Sequence, residues 1–154
     1  MTDLVFVFGT LKEGFPNFTT NRGKRVAGEF VTVERYPLYL VGERFSPWLV
    51  FSAGEGERVA GQVFEVDQAA LDAMDVLERL TEADGYRRVS IAVERVDGES
   101  RSALSVQAYV KAPEHFRAAD VKAGPLSEYT MAHAGLYRSR STVGRANGGI
   151  ELGG

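Results

Sequence analysis

Apolar residues along this chain fall mostly into short runs with a period of two, a rhythm that predicts a β-rich protein with one well-defined helix. Residues 4–8, LVFVF, are a continuous β-branched and aromatic run stopped by Gly9, as expected of a buried strand in the centre of a sheet. Residues 12–24 turn polar, and Gly14, Pro16, Asn17, Asn21 and Gly23 break any period, so a loop or irregular helix is expected. Residues 26–33 read as a second strand and residues 36–41, YPLYLV, as a third, with Pro37 favouring its start or an edge. The apolar segment 48–51, the turn AGEGE and the alternating run 59–66 together predict a hairpin. Residues 86–96 and 103–111 alternate on either side of Asp97-Gly98 and predict another. After Pro113 the pattern weakens.

The helix is expected over residues 67–80, a stretch of good helix formers opened by Asp67, whose carboxylate can accept from the free amides of the first turn. Many short strands and a single helix point to an α+β fold with a curved or closed sheet. The length of 154 residues and a hydrophobic content of 44% fit one domain and one core. That domain is expected over 1–144, followed by a glycine-rich tail at 145–154 with too little apolar surface to offset the entropy of ordering it.

Charge and composition remove several classes of function. Lysine and arginine number 18 against 21 acids, giving a net charge of -3, and no basic block runs along the chain, so neither a nucleic-acid nor an anionic-membrane partner is expected. With no cysteine, a disulfide framework, a thiolate zinc site and a cysteine nucleophile are all excluded. The N-terminal residues lack a basic segment followed by a long apolar run, and no stretch approaches the roughly 18 apolar residues of a spanning helix. A cytoplasmic protein, monomeric by default, is the expectation. Asn17-Phe18-Thr19 fits a glycosylation sequon but carries no weight without a secretory signal.

Candidate chemistry is sparse. GTLKEG has the glycine spacing that opens a phosphate loop, but Phe15 and Pro16 stand where Lys-Ser/Thr would be required. What remains is a glycine directly after a buried strand, where a missing Cβ lets a ligand approach backbone amides, or else a plain turn. His115 and His133 lie in weakly patterned sequence with no metal-binding spacing, and no serine sits in a G-x-S-x-G elbow. The anomaly is in the helix. Leu71, Met74 and Glu78 share one face at i, i+3, i+7, with Leu77 adjacent, so an apolar stripe ends in a carboxylate. Asp67 is explained by capping, and Asp72 and Asp75 fall toward the polar side, where a solvated acid needs no special reason. An inward carboxylate is penalised when charged, so its pKa is expected to rise toward the range useful for acid/base catalysis. The alternative is that Glu78, near the helix end, reaches water or pairs with Arg87 or Arg88.

Read in order, VFVFGTL, YPLYLVGE, SPWLV, VAGQVFEVD and LDAMDVLE…GYRRV resemble the γ-glutamylcyclotransferase-like proteins, most closely the γ-glutamylamine cyclotransferase branch, over residues 4–111. The resemblance implies a small mixed β-barrel with one main helix carrying the acid/base glutamate, shorter helical pieces, and a cavity beside the loop after the first strand. It implies that Phe8, Gly9, Thr10 and Leu11 hold the glutamyl moiety and that Glu78 is the acid/base. Tyr86 and Trp48 are candidates for the cavity wall or for core packing. The implied reaction is internal aminolysis of a γ-glutamyl amine, with γ-glutamyl-ε-lysine as the expected substrate, giving 5-oxoproline and a free amine. Nucleophile and electrophile share one molecule, so neither metal nor cofactor is expected. One departure stands out: Phe8 replaces the tyrosine that usually opens the loop motif, so a hydroxyl contact is missing. Two other readings stay open: another γ-glutamyl substrate (a γ-glutamyl amino acid, glutathione or a protected intermediate), or a non-catalytic small-molecule-binding domain of the same fold.

Overall fold

Side chains of β1 (Asp3–Val7) leave the strand alternately toward two different cores, which is why its sequence is apolar at every position from Leu4 onward. In the computed structural model, which describes residues 2–96 and 102–138, Phe6 and the following Phe8 enter the barrel interior with Phe30, Val63, Val93 and Val106. Val5 and Val7 instead face an outer layer with Phe64, Val66, Leu71 and Met74. The remaining strands are β2 (Lys24–Arg25), β3 (Phe30–Thr32), β4 (Leu38–Val41), β5 (Ser46–Leu49), β6 (Ala60–Val66), β7 (Arg87–Arg95), β8 (Leu104–Val110) and β9 (Val121–Ala123).

Five of these close a barrel. β1 pairs parallel with β8, β8 antiparallel with β7, β7 with β3, β3 with β6, and β6 returns antiparallel to β1. Closure removes the edges that an open sheet of this size would expose. β2 adds to β6 beyond the end of β3. β4, β5 and β9 form a separate three-stranded sheet in the order β5-β4-β9. The small mixed α+β barrel expected from the sequence is thus the fold.

Helix α1 (Gln68–Leu77) begins as expected: the Asp67 carboxylate accepts from the Ala70 amide at 2.8 Å. Leu71 and Met74, almost fully buried, dock it on the outer barrel wall, and each contributes roughly 1.5–3 kcal/mol of apolar burial. A second helix, α2 (Met131–Ala134), is one turn long and closed by a capping box between Thr130 and His133.

Three expectations are corrected. Of the strand expected over 26–33 only β3 forms, while β2 ends just before that range, because Gly28 takes a φ of 104° and breaks the run between them. The hairpin expected between 48–51 and 59–66 does not form: β5 pairs with β4 through a turn in which Gly42 and Phe45 have φ of 73° and 53°, while β6 pairs with β1, β2 and β3. The helix stops at Leu77 rather than Leu80, since Arg79 takes a φ of 57° that no helix continues. The β7–β8 hairpin is present, with Arg87 opposite Val110 and Val93 opposite Leu104. Its Asp97-Gly98 turn and the tail at 145–154 lie outside the described residues.

Candidate active site

The end of β1 and the end of α1 meet over one cavity. Its volume is about 60 Å³, and it opens to solvent at its mouth. The loop residues Phe8, Gly9, Thr10 and Leu11 form one wall, and Leu77 and Glu78 face it from the helix. Tyr86 belongs to the same lining. Every site residue expected from the sequence, Glu78 included, therefore lies around a single space.

Glu78 is placed by the way its helix ends. It is the C-cap of α1, its amide donating to the Met74 carbonyl at 2.9 Å. The chain then folds sharply back: Arg79 adopts its left-handed conformation, and a Cβ on Gly85 would lie 1.8 Å from the Arg79 carbonyl oxygen. Only glycine fits at that crossing. The Tyr86 amide next donates to the Glu78 carbonyl at 3.0 Å, which fixes these two residues side by side. Arg88 pairs with Asp75 at 2.5 Å and Arg87 with Glu114 at 3.4 Å.

The facing loop is tied down from several sides. Asn21 Nδ2 donates to the Leu11 carbonyl at 2.9 Å, and the Glu13 amide donates to Gln62 Oε1 at 2.9 Å. Asn17 donates from its amide to the Thr10 carbonyl at 2.8 Å and from Nδ2 to Thr10 Oγ1 at 2.9 Å. Lys12 is buried beneath the loop, its Nζ donating to the Tyr129 carbonyl and lying 4.3 Å over the Phe15 ring. Burial pushes its ammonium below the usual lysine pKa, and Glu128 and Glu29 partly offset this. Among the described residues, the amides of Gly9, Thr10 and Leu11 donate to no backbone carbonyl, so a bound anion or oxyanion can compete for them.

Gly9 also has a packing reason to be glycine. A Cβ there would come within 2.8 Å of Pro47 Cγ, so the missing side chain makes room for β5. Pro47 is itself part of the cavity wall, and its carbonyl accepts from the Tyr86 hydroxyl at 2.9 Å. Phe8 is buried at 6% exposure and packs against Phe6 at 6.3 Å between ring centroids, so its ring is retained and only the hydroxyl is lost.

Sequence reasoning missed Asn17, Arg44, Tyr109 and Tyr137, which also line the cavity. It also misjudged Asp75. This carboxylate, though partly exposed, is engaged on both oxygens: its Oδ1 accepts from the Tyr109 hydroxyl at 2.6 Å and its Oδ2 from Arg88 at 2.5 Å. Burial, then the bond to Asp75, holds the Tyr109 phenol far above the usual tyrosine pKa, so it stays a neutral donor. Arg88 of β7 and Tyr109 of β8 reach Asp75 on the flank of α1, a contact no helical wheel contains. Trp48 lines not this cavity but an adjoining one, which Tyr86 and Arg44 share.

Residues 5–131 match the family described as Gamma-glutamyl cyclotransferase, AIG2-like. The chain belongs to that family. It is 39% identical over 104 residues to gamma-glutamylaminecyclotransferase B of Danio rerio, covering 64% of this chain and 53% of that protein. It is 34% identical to gamma-glutamylaminecyclotransferase C of the same organism, covering 75% of this chain and 78% of that one. With the Mus musculus gamma-glutamylaminecyclotransferase, identity is 34% over 69% of this chain and 74% of the relative. The crystal structure of an AIG2-like protein from Mus musculus superposes with a TM-score of 0.72 and 27% identity, over 84% of this chain and 88% of the other. The matched residues of this γ-glutamyl cyclotransferase family member contain the loop, Glu78 and Tyr86; Tyr137 lies beyond them. Among the described residues, no helix is long and apolar enough to cross a membrane.

Proposed function

We propose that this chain releases 5-oxoproline and a free amine from a γ-glutamyl amine, with γ-glutamyl-ε-lysine the first substrate to test. The carrying observation is that Glu78 and the Phe8–Leu11 loop, far apart in sequence, face each other across one cavity. The relatives named as γ-glutamylamine cyclotransferases support the amine as leaving group.

In this reading the glutamyl half lies against the loop. Glu78 takes a proton from the α-ammonium, and the freed amine attacks the γ-carbonyl carbon to close a five-membered ring. The new C–N bond pushes charge onto the carbonyl oxygen, which accepts from loop amides as an oxyanion. The ring nitrogen still carries one proton too many after attack. As collapse breaks the original C–N bond, Glu78 gives its first proton to the departing amine and relays this second one to it as well, so the lactam is neutral and the amine leaves as an ammonium. The two protons lost by the α-nitrogen are the two gained by the leaving nitrogen, and Glu78 ends as it began. The site contributes by folding the substrate, moving these protons and stabilising one developing charge. Phe8, Leu11 and Leu77 supply an apolar lining that keeps water from competing.

The test is 5-oxoproline release, read by mass spectrometry, with wild type and Glu78→Gln in parallel. Loss of the acid/base should lower turnover by about 10²-fold or more while the fold survives. Equal turnover by the two proteins would remove Glu78 from this role. Binding without any turnover by wild type would favour a non-catalytic domain.

A further inference from the structure

Tyr86, Tyr109 and Tyr137 all line the site cavity, and they differ in what they do with their protons. Tyr86 donates to the Pro47 carbonyl at 2.9 Å and Tyr109 to Asp75 at 2.6 Å, so both of these O–H groups are spent on the protein. Tyr137 is arranged the other way round, its oxygen accepting from Asn17 Nδ2 at 3.2 Å. The same Nδ2 also donates to Thr10 Oγ1 at 2.9 Å. A primary amide has two N–H hydrogens, and here each is given to a hydroxyl oxygen. The protons of Thr10 and Tyr137 are thereby turned away from Asn17, and among the described residues neither meets an acceptor.

The charge of the wall points the same way. Among the described residues Arg44 is the one cation lining this cavity, and no ion pair among them engages it. The Arg138 amide donates to the Arg44 carbonyl at 2.9 Å, so the segment after α2, which carries Tyr137, is laced to the β4–β5 turn, which carries Arg44. Tyr137 lies beyond residues 5–131, so the family match assigns it no role.

We propose that Tyr137, paired with Thr10 through Asn17, donates its O–H to the α-carboxylate of the bound glutamyl group, with Arg44 as the countercharge. The inference rests on the cyclotransferase reading and adds binding residues to it. Two hydroxyl donors oriented by one amide suit an acceptor with two oxygens, and hydrogen bonds to a charged acceptor are the stronger kind. A carboxylate held there leaves the α-nitrogen on the same carbon to Glu78 and the loop amides to the oxyanion. Phe8 brings no hydroxyl to this wall, so the phenol that serves the substrate comes from the C-terminal side of the chain.

The experiment compares kcat/KM for γ-glutamyl-ε-lysine and for its counterpart in which the glutamyl α-carboxylate is a primary carboxamide. Wild type should prefer the acid. Tyr137→Phe keeps the ring and loses only the hydroxyl, and it should shrink the acid-to-carboxamide ratio by about fivefold, through KM rather than kcat. Arg44→Gln should shrink it by about threefold, and added salt should weaken the preference of wild type. The carboxamide also lowers the basicity of the α-amine, equally for every variant, so comparing ratios cancels that effect. A purely structural Tyr137 would slow both compounds alike. That result, or a ratio that either folded variant leaves unmoved, would overturn the inference while the cyclotransferase reading stands. Circular dichroism checks the fold, and should one variant lose it, the other decides by the same criterion. If wild type turns over neither compound, the cyclotransferase reading itself fails and this inference falls with it.

Discussion

Gly9→Ala links the stability of the barrel to the shape of the site. The added Cβ would lie 2.8 Å from Pro47 Cγ and 3.3 Å from Pro47 Cβ. Carbon atoms rest comfortably at about 3.5–4.0 Å, so the proline ring must retreat by roughly 0.7 Å or more. It cannot rotate away, because the ring is fused to the backbone, and Pro47 is buried in β5, paired with Leu40. Overpacking of this kind costs about 1–3 kcal/mol. Equilibrium urea denaturation should therefore show Gly9→Ala about 2 kcal/mol less stable, with an unchanged m-value. The displaced proline also carries the carbonyl that accepts from Tyr86, so KM for the γ-glutamyl substrate should rise. Pro47→Ala removes Cγ, and in a double-mutant cycle the two changes should couple favourably by about 1 kcal/mol. A Gly9→Ala protein within about 0.5 kcal/mol of wild type, with additive effects in the cycle, would refute the packing argument.

Tyr109→Phe should cost about 1.5 kcal/mol, the lower end for a hydrogen bond to a carboxylate that keeps some contact with water. Asp75→Ala should cost more, since it strands both Tyr109 and Arg88, and chemical denaturation of the single and double variants should show the two effects failing to add. Burial leads the causes that raise the pKa of Tyr109 and Tyr129 above the ordinary value of 10.0. From pH 10 upward the unfolded chain loses these protons while the folded chain keeps them. Their stability contribution is thus intact below pH 10 and declines above it, by about 1.4 kcal/mol per pH unit and group. Lys12 runs the other way: its lowered pKa makes its contribution grow as pH rises toward 10.5 and level off above. Denaturation midpoints above pH 10 should fall less steeply in Tyr109→Phe and Tyr129→Phe than in wild type, and parallel curves would contradict the assignment.

Local chemistry explains which parts of this protein can be read from its sequence. The β1 run ends at Gly9, Asp67 caps a helix, and β7 and β8 alternate on either side of a turn signal; each is written within a few consecutive residues. Glu78 was visible for the same reason, as a carboxylate ending the stripe begun by Leu71 and Met74. Strand pairing is another matter. The segment 59–66 pairs with β1, β2 and β3, two of them far upstream, while β5 turns back on β4. Nothing local distinguishes these partners, because alternation states that a strand has a buried face and not which strand lies beside it.

The side chains around the site divide along the same line. Sequence by itself determined that a glycine-ended strand and an inward glutamate exist, since periodicity and turn chemistry act over one or two turns of chain. Only the closed barrel brought Arg44, Tyr109 and Lys111 to the cavities and turned Asp75 from a surface acid into the acceptor for Tyr109 and Arg88. A charged residue's role is set by what covers it, and the cover comes from strands tens of residues away.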